Sequence, residues 1–187
     1  MAQTKTNLLD VDDLMARIRA EVSQQMHRSA LQKRSSQALY SPGQVLNFKK
    51  GGNAESHLVD GWATAETNYR WTVSESATMA FRFEQTAADM VLTFTAHPHL
   101  GGETSRQTVT ASWDNTPVGS WNVSQPGTYS TLILSEANGS DNIHNLRFSI
   151  PTCFSPESKG ISADPRPLGL AFVELILHPA DAFGFQK

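Results

Sequence analysis

The sequence predicts an all-β protein: an antiparallel, jelly-roll-like β-sandwich preceded by one amphipathic α-helix. Three observations lead there. Apolar residues recur at three- and four-residue steps before about residue 40, and no second long helical pattern follows. After residue 43 apolar and polar residues alternate over short runs. Clusters of Gly, Pro, Asn and Asp separate those runs at short intervals, the punctuation of sandwiches and jelly rolls rather than of α/β enzymes. The boundary gives two regions, a helix with its linker over 1–43 and a sandwich over 44–187.

The helix comes first. Val11, Met15, Ile18, Val22 and Met26 share one face, which Leu14 widens. Asp10 suits the N-cap, and Asp12 and Asp13 lie in the first turn, where negative charge complements the helix dipole. Arg28, Lys33 and Arg34 lie toward the other end, where positive charge is favoured. Ser35-Ser36 and Ser41-Pro42-Gly43 read as a linker. A lone helix of this length needs its apolar face buried to be stable. That requirement favours self-association into a homo-oligomer, or docking to a partner, over packing on the chain's own sandwich.

Strands are expected at Thr78–Phe83, Met90–Thr95, Gln107–Trp113, Val118–Val123, Tyr129–Leu134, Asn145–Ile150 and Leu168–Leu177. The period-2 pattern assigns Phe81, Phe83, Leu92, Phe94, Val109, Leu132, Leu134, Phe148, Ile150, Leu170, Phe172 and Leu175 to the core.

Composition narrows the function. A net charge of −3 argues against a nucleic-acid partner, because neutralising phosphates needs a basic surface. The one cysteine, Cys153, excludes an intramolecular disulfide and a cysteine-rich zinc site. His97 and His99 flank Pro98 without an acidic residue or cysteine at ligand spacing, so no metal and no cofactor are expected. No nucleophile elbow or phosphate loop occurs, so no catalytic residue is assigned and the chain is read as a non-enzyme. The N-terminus is polar up to Leu8-Leu9 and acidic at once afterwards, unlike a signal peptide, which makes the cytoplasm the expected compartment.

The aromatic residues carry the binding hypothesis. Sugar recognition needs flat apolar faces against C–H surfaces together with planar polar groups for hydroxyls. Trp62, Glu66, Tyr69, Arg70 and Trp71 supply both within one short loop-rich segment, and Asn115 and Trp121 are outlying candidates. The competing reading places any one of these tryptophans in the core, where large aromatic residues commonly go. A second segment, Asp164-Pro165-Arg166-Pro167-Leu168-Gly169-Leu170, is read chiefly as a brace for the last strand. Its Asp and Arg can pair with each other or with ligand groups.

Two stretches carry a family resemblance. Asp10–Val22 resembles the N-terminal helix of bacterial glycosyltransferases and methyltransferases of exopolysaccharide clusters. Gly61-Trp62, Glu66 and Arg70-Trp71-Thr72, with the late run from Pro156 to Leu170, resemble the β-sandwich accessory domains of polysaccharide glycosyltransferases and phosphoglycerol transferases. No transferase domain accompanies them in this sequence. The resemblance therefore implies a carbohydrate-binding or accessory module in bacterial exopolysaccharide assembly, with a polysaccharide or glycan as ligand and a glycosyltransferase as partner. The alternative is a structural adaptor that oligomerises or docks a partner enzyme through its helix without binding glycan. A small hydrolase or lyase would need convergent carboxylates or histidines in a concave site.

Overall fold

The computed structural model describes residues 37–84, 89–135 and 142–183, together with Met15 and Glu21. The chain divides into two units, Met1–Ser36 and Gln37–Lys187. In the first, Met15 and Glu21 are helical and exposed. The other positions of the expected amphipathic helix lie outside the described residues, and with them the face through which self-association is expected.

The second unit carries, among the described residues, β1 (Leu46–Asn47), β2 (Leu58–Asp60), β3 (Arg70–Trp71), β4 (Ser76–Arg82), β5 (Met90–Pro98), β6 (Gln107–Trp113), β7 (Thr116–Val123), β8 (Gly127–Ile133), β9 (Ile143–Ser149) and β10 (Leu170–Pro179). They form two antiparallel sheets of five strands. In one, β10 is central. It pairs with β5 along its length, and β5 pairs with β8. The other side of β10 is shared by β3 at Ala171–Phe172 and β1 at Glu174–Leu175. The second sheet runs β2-β4-β9-β6-β7.

Alternation explains how these strands face each other. Met90, Leu92, Phe94 and Ala96 of β5 are buried, as are Gln107, Val109, Ala111 and Trp113 of β6. The two inner faces meet directly: Phe94 packs edge-to-face on Phe148 of β9 with ring centroids 5.2 Å apart, and Phe148 lies 4.9 Å from Phe172 of β10. Trp113 is fully buried against the rings of Phe81, Phe83 and His144. Burying an apolar side chain of Leu or Phe size stabilises by roughly 1.5–3 kcal/mol, so this shared layer of rings holds the two sheets together.

Ten of the expected core positions are buried, but Leu132 and Leu134 are not: they are 43% and 48% exposed. The physical reason is register. In β8, Tyr129, Thr131 and Ile133 stand opposite Phe94, Leu92 and Met90, which face inward. Directly opposed residues share a face, so β8 buries Ile133 and turns Leu132 outward. The core assignment of Leu170, Phe172 and Leu175 breaks strict alternation, and a bulge accommodates it. The β10–β5 register shifts between Phe172 and Glu174, which lets Phe172 and Leu175 both point inward.

Residues from Gln37 onward pack on the sandwich, within the stretch expected as linker. Tyr40 is buried. Its hydroxyl donates to the Gln44 carbonyl at 2.6 Å and accepts from the Leu177 amide at 2.8 Å. Burial pushes its pKa up to about 12, against the opposing effect of a backbone hydrogen bond at Leu177. At the far end of β6 the chain reverses through Asp114 and Asn115, both with positive φ (46° and 71°), as a two-residue hairpin turn requires. The Asp114 carboxylate accepts from the Asn145 amide at 2.7 Å and contacts His144 Nδ1 at 2.6 Å, which ties the turn to β9.

Candidate functional site

Of the seven residues singled out by the sequence, three serve the core, three gather at a surface, and Asn115 stands apart from both. Trp62 follows Gly61, whose φ of 78° and closeness to the Ser76 carbonyl leave no room for a Cβ. The turn delivers the Trp62 ring onto Phe48 and Phe172, with centroids 5.2 and 5.1 Å away, and its indole N–H donates to the Thr78 carbonyl at 2.9 Å. Trp121 stands opposite the inward Val109 and packs edge-on to Phe94 at 5.1 Å. Both tryptophans are half-buried against the core.

Arg70 and Asn115 also lie apart from that surface. Arg70 pairs in register with the inward Phe172, is buried, and its guanidinium engages Glu55. Asn115 is exposed at the β6–β7 turn, next to Trp113. Trp113 touches Phe83, Phe83 touches Tyr40, and Tyr40 is bonded to Leu177. Leu177 lies six residues along β10 from Ala171, about 20 Å at the rise of a strand.

Tyr69, Trp71 and Glu66 come together, and His97 joins them. Trp71, Ala171 and His97 form one row across β3, β10 and β5. Alternation along β5 turns His97 to the outer face, since Ala96 is buried and inward. Tyr69 packs edge-to-face on Trp71 at 5.6 Å and lies 6.3 Å from His97, so three rings surround the small Ala171. Beside Tyr69, an open hollow of about 410 Å3 is lined by Lys50, Ala65, Glu66, Thr67, Asn68 and Tyr69. Partial burial raises the Tyr69 pKa, and the hydrogen-bonded, negatively charged Glu66 raises it further. Tyr69 therefore stays a neutral phenol near pH 7, able to donate and accept.

The loop before β10 closes the other side. Trp71 contacts His99 edge-on at 5.7 Å, and His99 packs on Phe154 at 4.5 Å. Burial lowers the His99 pKa, with Asp164 pulling the opposite way. Asp164 and Arg166, the pair noted in the sequence, bind each other: Arg166 Nη2 donates to Asp164 Oδ2 at 2.6 Å and Nε to Oδ1 at 2.9 Å. The Arg166 hydrogen bonds hold the Asp164 pKa down at about 2. Arg166 also reaches to 4.0 Å from Glu66, which joins this loop to the hollow.

The sequence weighs His97 and His99 only as metal ligands and does not place them at this surface. The signal for His97 was continuation of the β5 alternation past Thr95. For His99 no local signal exists, because its backbone is fixed by bonding to Gly169 far along the chain. Among the described residues no three His, Cys, Asp or Glu side chains are placed to hold a metal ion. Burial, followed by the charge of Glu75, raises the Cys153 pKa, which keeps it a thiol rather than a nucleophilic thiolate. What the surface offers chemically is flat rings, two imidazoles, a neutral phenol and a carboxylate. Among the described residues no helix is long and apolar enough to cross a membrane.

No protein-family model and no curated protein sequence matches the chain. Several similar solved structures are carbohydrate-binding modules. A family 6 carbohydrate-binding module with dissected binding sub-sites aligns with a TM-score of 0.43 and 10% identity, over 74% of this chain and 95% of that one. A CBM36 module in complex with calcium and xylotriose aligns with a TM-score of 0.40 and 9% identity, over 72% of this chain and 98% of that one. The 4-O-methyl-α-glucuronidase BtGH115A, with specificity for decorated arabinogalactans, aligns with a TM-score of 0.45 and 11% identity over 76% of this chain, which spans 18% of the length of that enzyme.

Proposed function

We propose that the sandwich is a non-catalytic carbohydrate-binding module whose site is the Tyr69–Trp71 surface. The observation that carries this reading is the placement of Tyr69 and Trp71 around Ala171, partly exposed, with the Glu66 hollow on one side and Arg166 on another. Apolar C–H faces of a pyranose stack on such rings, and its hydroxyls take hydrogen bonds from planar polar groups at the rim. The finer context, a role in bacterial exopolysaccharide assembly beside a glycosyltransferase, rests on the resemblance of the Gly61–Thr72 and Pro156–Leu170 stretches.

Affinity electrophoresis against a panel of soluble polysaccharides tests the reading. The wild-type chain should be retarded by at least one of them. Trp71→Ala should lose roughly tenfold or more in affinity, as truncating an aromatic anchor does, while keeping a cooperative thermal transition. Unchanged retardation of a folded Trp71→Ala chain would place the site elsewhere, and retardation by no polysaccharide would refute the reading.

A further inference from the structure

The outer face of the β10–β5–β8 sheet continues from the aromatic row along β5. The next row toward the start of β5 is Glu174, Thr95 and Thr128, in register across three strands. Thr95 Oγ1 bonds to Thr128 Oγ1 at 3.0 Å and approaches Glu174 at 3.5 Å. The row after that is Ile176, Thr93 and Ser130, with Thr93 Oγ1 and Ser130 Oγ 2.9 Å apart. Thr128, Ser130 and Glu174 are exposed. From His97 to Val91, where the face turns apolar at Leu132, β5 covers six residues, about 20 Å at the strand rise. The hydroxyls are oriented by one another yet keep spare donor and acceptor capacity.

Resting on the proposed function, we infer that this face is an extended site for several consecutive units of a neutral polysaccharide. One sugar ring stacks on Tyr69 and Trp71, and the following units lie along β5. Their hydroxyls then meet first Glu174, Thr95 and Thr128, and next Thr93 and Ser130. Three successive rows along one sheet face give room for several consecutive sugar units. Neutrality follows from charge. Neither polar row contains Lys or Arg, Glu174 repels a polyanion, Arg166 at the aromatic end is already matched by Asp164, and Lys50 shares its hollow with the carboxylate of Glu66.

Calorimetric titration of the full chain with cello-, xylo-, manno- and laminari-oligosaccharides from one to six units, and with oligogalacturonates, tests it. In at least one neutral series, affinity should rise with length, by about tenfold between disaccharide and hexasaccharide, the return from one or two added hydrogen bonds to charged or well-oriented groups. Glu174→Gln and Thr95→Val should each lower hexasaccharide affinity several-fold and leave disaccharide affinity unchanged, since the disaccharide occupies the aromatic end; Glu174 is exposed, and its substitution tests the site even where Thr95→Val fails to fold. Equal affinity across lengths, unaltered hexasaccharide binding by folded variants, or a preference for oligogalacturonates would overturn the extended neutral site while leaving the aromatic site standing. Binding of no sugar would remove both.

Discussion

His57 is a buried histidine whose ring stacks on Phe81 at a centroid distance of 5.4 Å and whose Nδ1 lies 3.1 Å from the Ala80 carbonyl. Burial lowers its pKa below the ordinary 6.5, more than the Ala80 contact raises it. His99 is shifted the same way. The unfolded chain takes up these protons at a higher pH than the folded one, so it binds more protons as pH falls through 6.5. Stability contributed by the neutral rings is complete above that value and is lost as pH drops below it. The midpoint of urea unfolding should therefore fall between pH 7.5 and 5.5, and His57→Leu should flatten that dependence. A midpoint insensitive to pH across this window would show that His57 charges freely in the folded chain. At the same scale lies the division among the tryptophans. In sequence, Trp62 and Trp71 are alike, aromatic residues in one loop-rich segment. Only strand partners separate them: Trp71 shares a row with Ala171 and His97, whereas Trp62 is aimed between Phe48 and Phe172. Arg70, one residue from Trp71, is likewise lost to the interior because neighbouring residues on a strand face opposite ways.

Within elements, period-2 alternation made β4, β5, β6 and β9 legible, because the large apolar residues of each strand fall mainly on one side. β8 was legible as a strand but not in phase. Its run Tyr129-Ser-Thr-Leu-Ile-Leu134 ends in three consecutive apolar residues, so composition alone allows either face to be buried. The register with β5 decides in favour of Ile133. Two substitutions discriminate the faces. Ile133→Ala should destabilise by about 2–5 kcal/mol, the range for truncating a buried aliphatic side chain. Leu132→Ala should stay within about 1 kcal/mol, since the side chain is 43% exposed. Chemical denaturation of the two variants measures this, and a larger loss for Leu132→Ala than for Ile133→Ala would mean that β8 is in the other register.

At the scale of the whole molecule, the fold class was readable because a sandwich core is a sum of local patterns: each sheet presents one apolar face, and the faces meet at Phe94, Phe148 and Phe172. The binding surface is a different kind of object. It joins the turn around Glu66, the strand β3, the end of β5 and the loop at Asp164–Arg166, segments up to about a hundred positions apart that meet only once β10 lies between β3 and β5. Local spacing can nominate Tyr69 and Trp71, but their alliance with His97 and Arg166 follows from topology.

The most direct test is amide and indole chemical-shift mapping of the isotopically labelled chain, titrated with the polysaccharide that retards it most. Saturable shifts should concentrate at Glu66, Tyr69, Trp71 and His97 and run along β5 toward Thr95 and Thr93. The Trp62, Trp113 and Trp121 indoles should stay nearly unmoved. Shifts centred on Asn115 and the β6–β7 turn, or on the outer face of the β2-β4-β9-β6-β7 sheet, would contradict the account.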